Sequence, residues 1–304
     1  MNTDTINNNN YEVTTINQQI VPIRMYRPLV GLLNMVAVTA QNGQLYKERY
    51  IDSISLESIK NTIQEGAPTP GSNEIPNVLT IHNSNSFYNY SSLIKHNVST
   101  LHGLTPQEVN TNLLTVSTSI LDSFALLRDF EMINGTVKGD NKINEGFINN
   151  KNAHVVTESP EPIVGRDSLM DIFTQMNRNL QEQSTASISE MVFFAGGYEM
   201  DRLLTRTANL NNSILNTLPI SPNQLHQLNP NVWKPEDVTE SNAILIGVSR
   251  QHATYLTGGA DGVYSMGQNS EDNYKWANYI KHSGAVSCTK KGAIQVANLK
   301  ITID

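Results

Sequence analysis

The side chains that could do chemistry are few and widely spaced. Histidines stand at His82, His96, His102, His154, His226, His252 and His282. Metal binding or proton transfer needs several such groups converging. None of these sits in the His-Glu-x-x-His pattern that places two imidazoles and a carboxylate on one helix face. His96 and His102 are close along the chain and read as separate surface or interface histidines. Cys288 is the single cysteine, which excludes cysteine-rich zinc sites and an intrachain disulfide. It ends the apolar run Gly284-Ala285-Val286-Ser287-Cys288 and is expected to be a buried structural thiol rather than a nucleophile. Gly258-Gly259-Ala260-Asp261-Gly262 is glycine-rich, but no helical pattern opens behind it to aim amides at a phosphate, so it reads as a loop. Glu158 and Glu161 flank prolines and also read as loop residues. P-loop, dinucleotide and nucleophile-elbow patterns are absent. The expectation is no catalytic, cofactor-binding or metal residue, and no enzyme. The best remaining place for an enzyme site of α/β type is the pair of turns at Gly196-Gly197 and Gly258-Gly259.

These residues belong to a chain of 304 residues that is 38% hydrophobic and only 16% charged. Asn, Ser and Thr fill the gap. Such a surface can bond to neighbours without stripping water from many full charges, which is costly. Twenty-eight acidic against 21 basic residues give a net charge of −7, which argues against a dedicated nucleic-acid binder. Lys290-Lys291 is the one basic doublet and reads as a solvated turn. Met1 to Gln19 is polar, with Asn7 to Asn10 as a run, and lacks the pattern of a secretory signal. It reads as a disordered or extended arm. No apolar stretch reaches the ~18 residues of a membrane span. A soluble protein made in the cytosol is expected.

The positioning elements follow from periodicity. Leu29 to Ala40, after Pro28, reads as a short helix or strand. Asn42-Gly43 signals a turn. Leu45 to Ile54 alternates, and Gly66, Pro68, Pro70, Gly71 and Pro76 follow with few apolar anchors. A long two-stranded excursion fits, and it would need a partner to lie on. Thr105-Pro106-Gln107-Glu108 has the capping-box pattern. Behind it an apolar stripe runs through Val109, Leu113, Val116, Ile120, Phe124, Leu127 and Phe130, and Asn134-Gly135 closes the helix. About 28 residues at 1.5 Å each give a spine of ~42 Å. Gly135 to Lys151 reads as a loop. A second helix spans about Ser168 to Gln181, with Leu169, Ile172, Phe173, Met176 and Leu180 on one face. Met191 to Ala195 reads as a buried strand ending at Gly196-Gly197, and a third helix covers about Tyr198 to Asn211. Ala243 to Val248 is another buried strand. Four short strands are expected from Asn273 to Ile303, at Tyr274/Trp276, Ala285 to Cys288, Ile294/Val296 and Leu299/Ile301/Ile303.

Local patterns in this order resemble a known family. Glu65-Gly66-Ala67-Pro68-Thr69-Pro70 is similar to the Glu-Gly-Ala segment of its extended loop. Leu126 to Gly135 looks like the end of its spine helix, and Ile143-Asn144-Glu145-Gly146-Phe147 like the return that follows. Tyr274 to Tyr279 and Gly284 to Val296 look like its final strand pair, with Ala293-Ile294-Gln295-Val296 as the closing strand. Over about residues 20 to 300 the chain resembles the Hong Kong 97 type of major capsid protein, found in tailed phages and in bacterial encapsulins. The resemblance implies an α+β fold with an N-terminal arm, an extended β-hairpin loop, a long spine helix with an antiparallel sheet, and an α/β axial subdomain. It implies an arm at 1–40 and an extended loop at 41–80. It also implies a peripheral domain at 81–160 and 263–304 with spine helix 106–133, and an axial domain at 161–262. The implied function is self-assembly into an icosahedral shell around double-stranded DNA, made in the host cytoplasm and located in the virion. The implied partners are copies of the chain itself in pentamers and hexamers, scaffolding, portal and decoration proteins, and DNA held without sequence specificity, with no membrane. Some members form covalent crosslinks. Lys47 and Lys60 lie in the loop region, but no catalytic Glu context accompanies them, so no crosslinking site is assigned. An encapsulin-like compartment shares the implied fold. An α/β enzyme and another virion part, such as a tail or neck protein, are the readings from other classes.

Overall fold

The computed structural model describes residues 29–37, 45–51, 79–86, 88–96, 125–138, 141–163, 166–183, 187–208, 219–233, 241–257, 262–269 and 275–302. The Thr105 capping box, most of the predicted spine stripe, the Asn42-Gly43 turn, the Glu65–Pro70 segment and the Gly258-Gly259 turn lie outside these residues.

A five-stranded sheet organises the centre, in the order β7-β14-β10-β8-β9. Its strands are β7 (Ala153–Ile163), β14 (Ile294–Ile301), β10 (Asn242–Ser249), β8 (Met191–Gly196) and β9 (Leu225–Gln227). β10 runs antiparallel to both β14 and β8, while β7 with β14 and β8 with β9 are parallel. All six residues of β8 are buried. That explains the unbroken apolar run Met191 to Ala195, since a strand covered on both faces has no polar side to alternate with. Phe193, Ala195, Leu245, Ala297 and Leu299 face one core. Helix α2 (Arg166–Gln183) covers it with Leu169, Ile172, Phe173, Met176 and Leu180, as its spacing predicts. Helix α3 (Tyr198–Ala208) adds Met200 and Leu203. Val192, Phe194, Ile244, Ile246, Ile294 and Val296 face a second core on the other side.

Helix α1, described at 125–134, covers that second core with Met132 and Ile133. It ends at Gly135, whose φ of 84° is the left-handed conformation expected of the Asn134-Gly135 stop. The loop expected over 135–151 is instead a hairpin, β5 (Gly135–Lys138) with β6 (Asn141–Glu145). Its return completes the backbone bonding of the helix: Phe147 N–H donates to Met132 O at 2.8 Å and Ile148 N–H to Ile133 O at 3.1 Å. Carbonyls orphaned at the helix end are thereby satisfied.

The second sheet is built on β13 (Lys275–Cys288). Its 14 residues reach roughly 48 Å at ~3.4 Å each. β4 (Tyr88–His96) pairs with residues 276–284 of it. β11 (Ala253–Thr257) and β12 (Gly262–Asn269) also pair with β13, at 284–288 and 275–281. Gly284 stands opposite both Thr257 and Tyr88, so β11 and β12 lie end to end along the edge that β4 does not occupy. The four predicted C-terminal strands are therefore two long ones, because Ser283 and His282 do not interrupt the ladder. Lys290-Lys291 does form the turn between them. Glu158 and Glu161 lie in strand β7 rather than in a loop. As an edge strand of its sheet, β7 can hold Pro160 and Pro162.

Candidate assembly surfaces

Two regions bear on contacts with other copies of the chain. The first is a ribbon. β2 (Leu45–Ile51) pairs antiparallel with β3 (Leu79–Ser86), from Leu45 opposite Ser86 to Ile51 opposite Leu79. Among the described residues this sheet has only these two strands. β2 falls within the expected excursion at 41–80, whereas β3 lies almost wholly beyond it, with only Leu79 and Thr80 inside those bounds. β3 leads within one residue into β4, so the ribbon grows directly out of the β13 sheet. A two-stranded ribbon is marginal in water without a surface to lie on.

The second is the start of the described chain. Residues Leu29–Leu32 form a 3-10 turn and Asn34–Ala37 form β1, which pairs parallel with β11. Both outcomes expected for 29–40, helix and strand, thus occur in succession. Val30 and Leu33 are buried in the second core. The Leu29 N–H donates to Asp129 Oδ2 at 2.8 Å and the Val30 N–H to Asp129 Oδ1 at 2.9 Å. Asp129 lies on α1 and is completely buried. Sequence periodicity misses it for an instructive reason. The predicted stripe continues through Leu127 and Phe130, yet Phe130 is 39% exposed, while Ala125, Asp129, Met132 and Ile133 are buried, as is Glu131 beside them. A carboxylate on the inner face counts as polar in any hydrophobic pattern. Its spacing of four, three and four residues from those buried neighbours is the available signal.

The residues with chemical potential are dispersed. His154 on β7 lies 3.4 Å from Gln183 Nε2. His226 on β9 has its pKa lowered chiefly by burial, with Arg250 adding to this and a backbone bond at Asn223 opposing it. His252, in the turn between β10 and β11, is lowered by burial and by Lys290, against Glu190. Asp201 in α3 is raised by burial. Among the described residues no three His, Cys, Asp or Glu side chains converge as a metal site. His82, His96 and His282 lie in strands whose side chains fall outside the description, as does His102 altogether. Cys288 is buried and its Sγ donates to Lys290 O at 3.3 Å, as a structural thiol would. The Gly196-Gly197 turn is closely packed. A Cβ on Gly196 would come within 2.8 Å of the Trp233 ring and 3.2 Å of Leu228 and Ile244. Such a turn offers a ligand no room. No helix among the described residues is long and apolar enough to cross a membrane.

No family model and no curated protein matches the chain. Solved structures do match. A chain of Gordonia phage Cozz is 12% identical with a TM-score of 0.57, and the match covers 94% of this chain and 90% of that one. A chain of Microbacterium phage Oxtober96 is 12% identical with a TM-score of 0.57, covering 93% and 94%. The capsid of the native GTA particle, computed with C5 symmetry, is 12% identical with a TM-score of 0.57, again covering 93% and 94%. Sequence identity this low carries the fold and nothing finer. The chain shares the α+β fold of these phage and GTA particle chains.

Proposed function

We propose that this chain is the subunit of a closed protein shell, the major capsid protein of a tailed phage enclosing double-stranded DNA. The observation that carries this reading is end-to-end agreement of fold, over more than nine-tenths of both chains, with the capsid of the GTA particle. Pentamers and hexamers of this chain are the assemblies this reading implies. No reaction is assigned to the chain.

The division of labour follows from the elements. The central sheet with α2 and α3 is the axial unit, meeting its copies around the symmetry axes. The β13 sheet and the spine helix form the peripheral plate. Of the units drawn from sequence, 161–262 remains axial, and 81–160 with 263–304 peripheral. One adjustment is supported by the pairing of β14 between β7 and β10: strands 153–163 and 294–301 go with the axial sheet. The excursion, 41–80 with β3 extending to Ser86, is the extended loop that lies across a neighbouring copy. The arm before Leu29 does the same. Segments with too little core of their own gain burial from the neighbour, which couples their folding to assembly. Many moderate contacts per subunit then close a shell without one very tight joint. Scaffolding, portal and decoration proteins are candidate partners, and packaged DNA meets an acidic wall without sequence-specific contacts.

The test is direct. The purified chain, examined by sedimentation and negative-stain microscopy, is expected to form closed shells or ring-like capsomers. Monomer alone at every salt and protein concentration would refute the reading.

A further inference from the structure

β10 runs against both of its neighbours in the central sheet, while β7 and β9 run with theirs. One end of the sheet therefore gathers three turns in a row: 149–152 before β7, 289–293 before β14, and 250–252 after β10. They carry Lys151, Lys290, Lys291 and Arg250. Lys151, Lys291 and Arg250 are exposed, and among the described residues no ion pair holds any of these three. Two carboxylates stand nearby. Glu145 accepts the Lys151 N–H at 3.1 Å, and Glu190 accepts the Ser187 N–H at 3.2 Å. On the last turns of α2, Arg178 and Glu182 cancel each other at 2.9 Å. Four cations against two acids make this end of the sheet positive, on a chain whose net charge is −7. The histidines beside it register that field. Burial comes first in lowering the pKa of His226 and His252, and Arg250 lowers the first further, as Lys290 does the second against Glu190.

The three turns are tied to one another. Gly292 N–H donates to Asn152 O at 2.8 Å and Asn152 Nδ2 to Cys288 O at 2.7 Å, joining the first to the second. Thr289 N–H donates to His252 O at 3.0 Å and Ser249 N–H to Ala293 O at 2.8 Å, joining the second to the third. Cations mounted on turns that hold each other need little further ordering when a ligand arrives. Three adjacent strands at a spacing of ~4.8 Å put the ends of the row ~10 Å apart. One strand of a DNA duplex carries a phosphate for every ~3.4 Å of axis, so the row faces about three of them. We propose that this end of the central sheet is a docking surface for the phosphate backbone of double-stranded DNA, with Lys151, Lys290, Lys291 and Arg250 as its contacts. The identity of the polyanion rests on the shell reading above. Because the rest of the chain is acidic, the contact is confined to the row, weak, and steeply dependent on salt. Phosphate contacts carry no sequence information, so the surface holds DNA of any sequence. The Lys290-Lys291 doublet, a solvated turn by sequence, becomes part of a surface only when folding brings Arg250 and Lys151 beside it.

The test measures binding of the full, unassembled chain to a fluorescent duplex of arbitrary sequence by anisotropy, between about 50 and 200 mM salt. Four phosphate contacts give a slope of about −3.6 for log K against log salt. Arg250→Gln with Lys291→Gln is expected to bring the slope to about −1.8 and to weaken binding about tenfold or more at the lowest salt. Arg202→Gln with Lys300→Gln removes the same charge near the opposite end of the sheet and is expected to leave slope and affinity close to those of the unaltered chain. All four side chains are exposed, so both double variants keep the core, and thermal melts check that they do. Equal losses in the two double variants overturn the site in favour of net charge alone. No binding by the unaltered chain at the lowest salt overturns it outright. Salt-sensitive self-association that Arg250→Gln with Lys291→Gln abolishes, with DNA binding unchanged, gives the row to an acidic face of a second copy and also overturns the proposal. Shell formation, followed by electron microscopy, is a separate readout. A chain that binds DNA through the row yet never assembles loses the shell reading alone, and one that assembles yet ignores DNA loses this proposal alone.

Discussion

The central sheet and the β2–β3 ribbon use strands of equal length to opposite ends. β10 and β3 each have eight residues. β10 has a strand on both edges and a core on both faces, with seven of its residues buried. β3 has one strand beside it, in a sheet of two. In the first case every backbone group and nearly every side chain is satisfied within one copy of the chain. In the second, one edge of each strand has no ladder partner among the described residues. On the proposed function, the difference separates a part that completes itself from one that a neighbouring copy would complete.

Removing the ribbon should therefore separate folding from assembly, and this is the largest effect expected. Leu45 and Ser86 face each other in register, so residues 46–85 can be replaced by an Asn-Gly turn without straining the chain. The shortened subunit should melt within a few degrees of the full chain and show no closed shells by electron microscopy. Intact particles from it would break the comparison.

The converse substitution belongs in the sheet. Phe193 is fully buried, with its ring centroid 5.1 Å from that of Phe173. Phe193→Ala should cost about 3–5 kcal/mol, a large share of the ~5–15 kcal/mol typical of a whole domain. Denaturant titration of the unassembled subunit measures it. A midpoint unchanged from the parent would mean that the sheet's core is not what holds the subunit together.

A smaller loss is expected where the hairpin folds back on α1. A Cβ on Gly146 would overlap Gly135 N and lie 2.5 Å from Ile133 O, both backbone atoms that cannot swing aside. Gly146→Ala should cost about 1–3 kcal/mol by overpacking. Tm should fall while the ribbon's contribution to assembly stays intact. A variant as stable as the parent would show that this turn is looser than its packing implies.

Sequence pattern and structure agree where a single physical rule dominates. α2 is legible because its five apolar positions all meet one core. β8 and β10 are legible because both of their faces are covered. The Asn134-Gly135 stop is legible because only a left-handed residue ends the helix there. The hairpin at 135–145 is not, since it is polar and its worth lies in returning the chain so that the Phe147 and Ile148 amides reach carbonyls of α1. β13 reads as separate pieces because a 14-residue strand with polar Lys281, His282 and Ser283 in its middle has no continuous apolar pattern. Asp129 is invisible as a clasp because its partners are Leu29 and Val30, about 100 positions away, and backbone donors leave no mark in side-chain spacing. The candidate surfaces are legible in part. A shortage of apolar anchors after Ile54 points to the ribbon, but nothing in the sequence fixes its register.

The smallest effect expected is on pH dependence, and it should track the central body rather than the ribbon. Burial lowers the pKa of His226 and His252 below the ordinary 6.5, helped by Arg250 near the first and Lys290 near the second, with Glu190 opposing at the second. Below pH 6.5 the unfolded chain then takes up protons more readily than the folded one. Their contribution to stability is whole above pH 6.5 and declines as pH falls through the lowered folded values. Asp201 acts in the opposite sense. Its raised pKa favours the folded state below 3.8, an advantage lost as pH rises through the folded value. The net expectation is a mild loss of stability from pH 6.5 downward, flattened in a His226→Gln, His252→Gln double variant. The ribbon-deleted subunit, which also lacks His82 of β3, should keep the loss that His226 and His252 cause, because neither of these belongs to β2 or β3. Thermal melts of unassembled subunits from about pH 7.5 to 5 would show it. A profile that changes when the ribbon is removed, but not when the two histidines are replaced, would place the acid sensitivity in the ribbon and undo the contrast between a self-sufficient sheet and a dependent one.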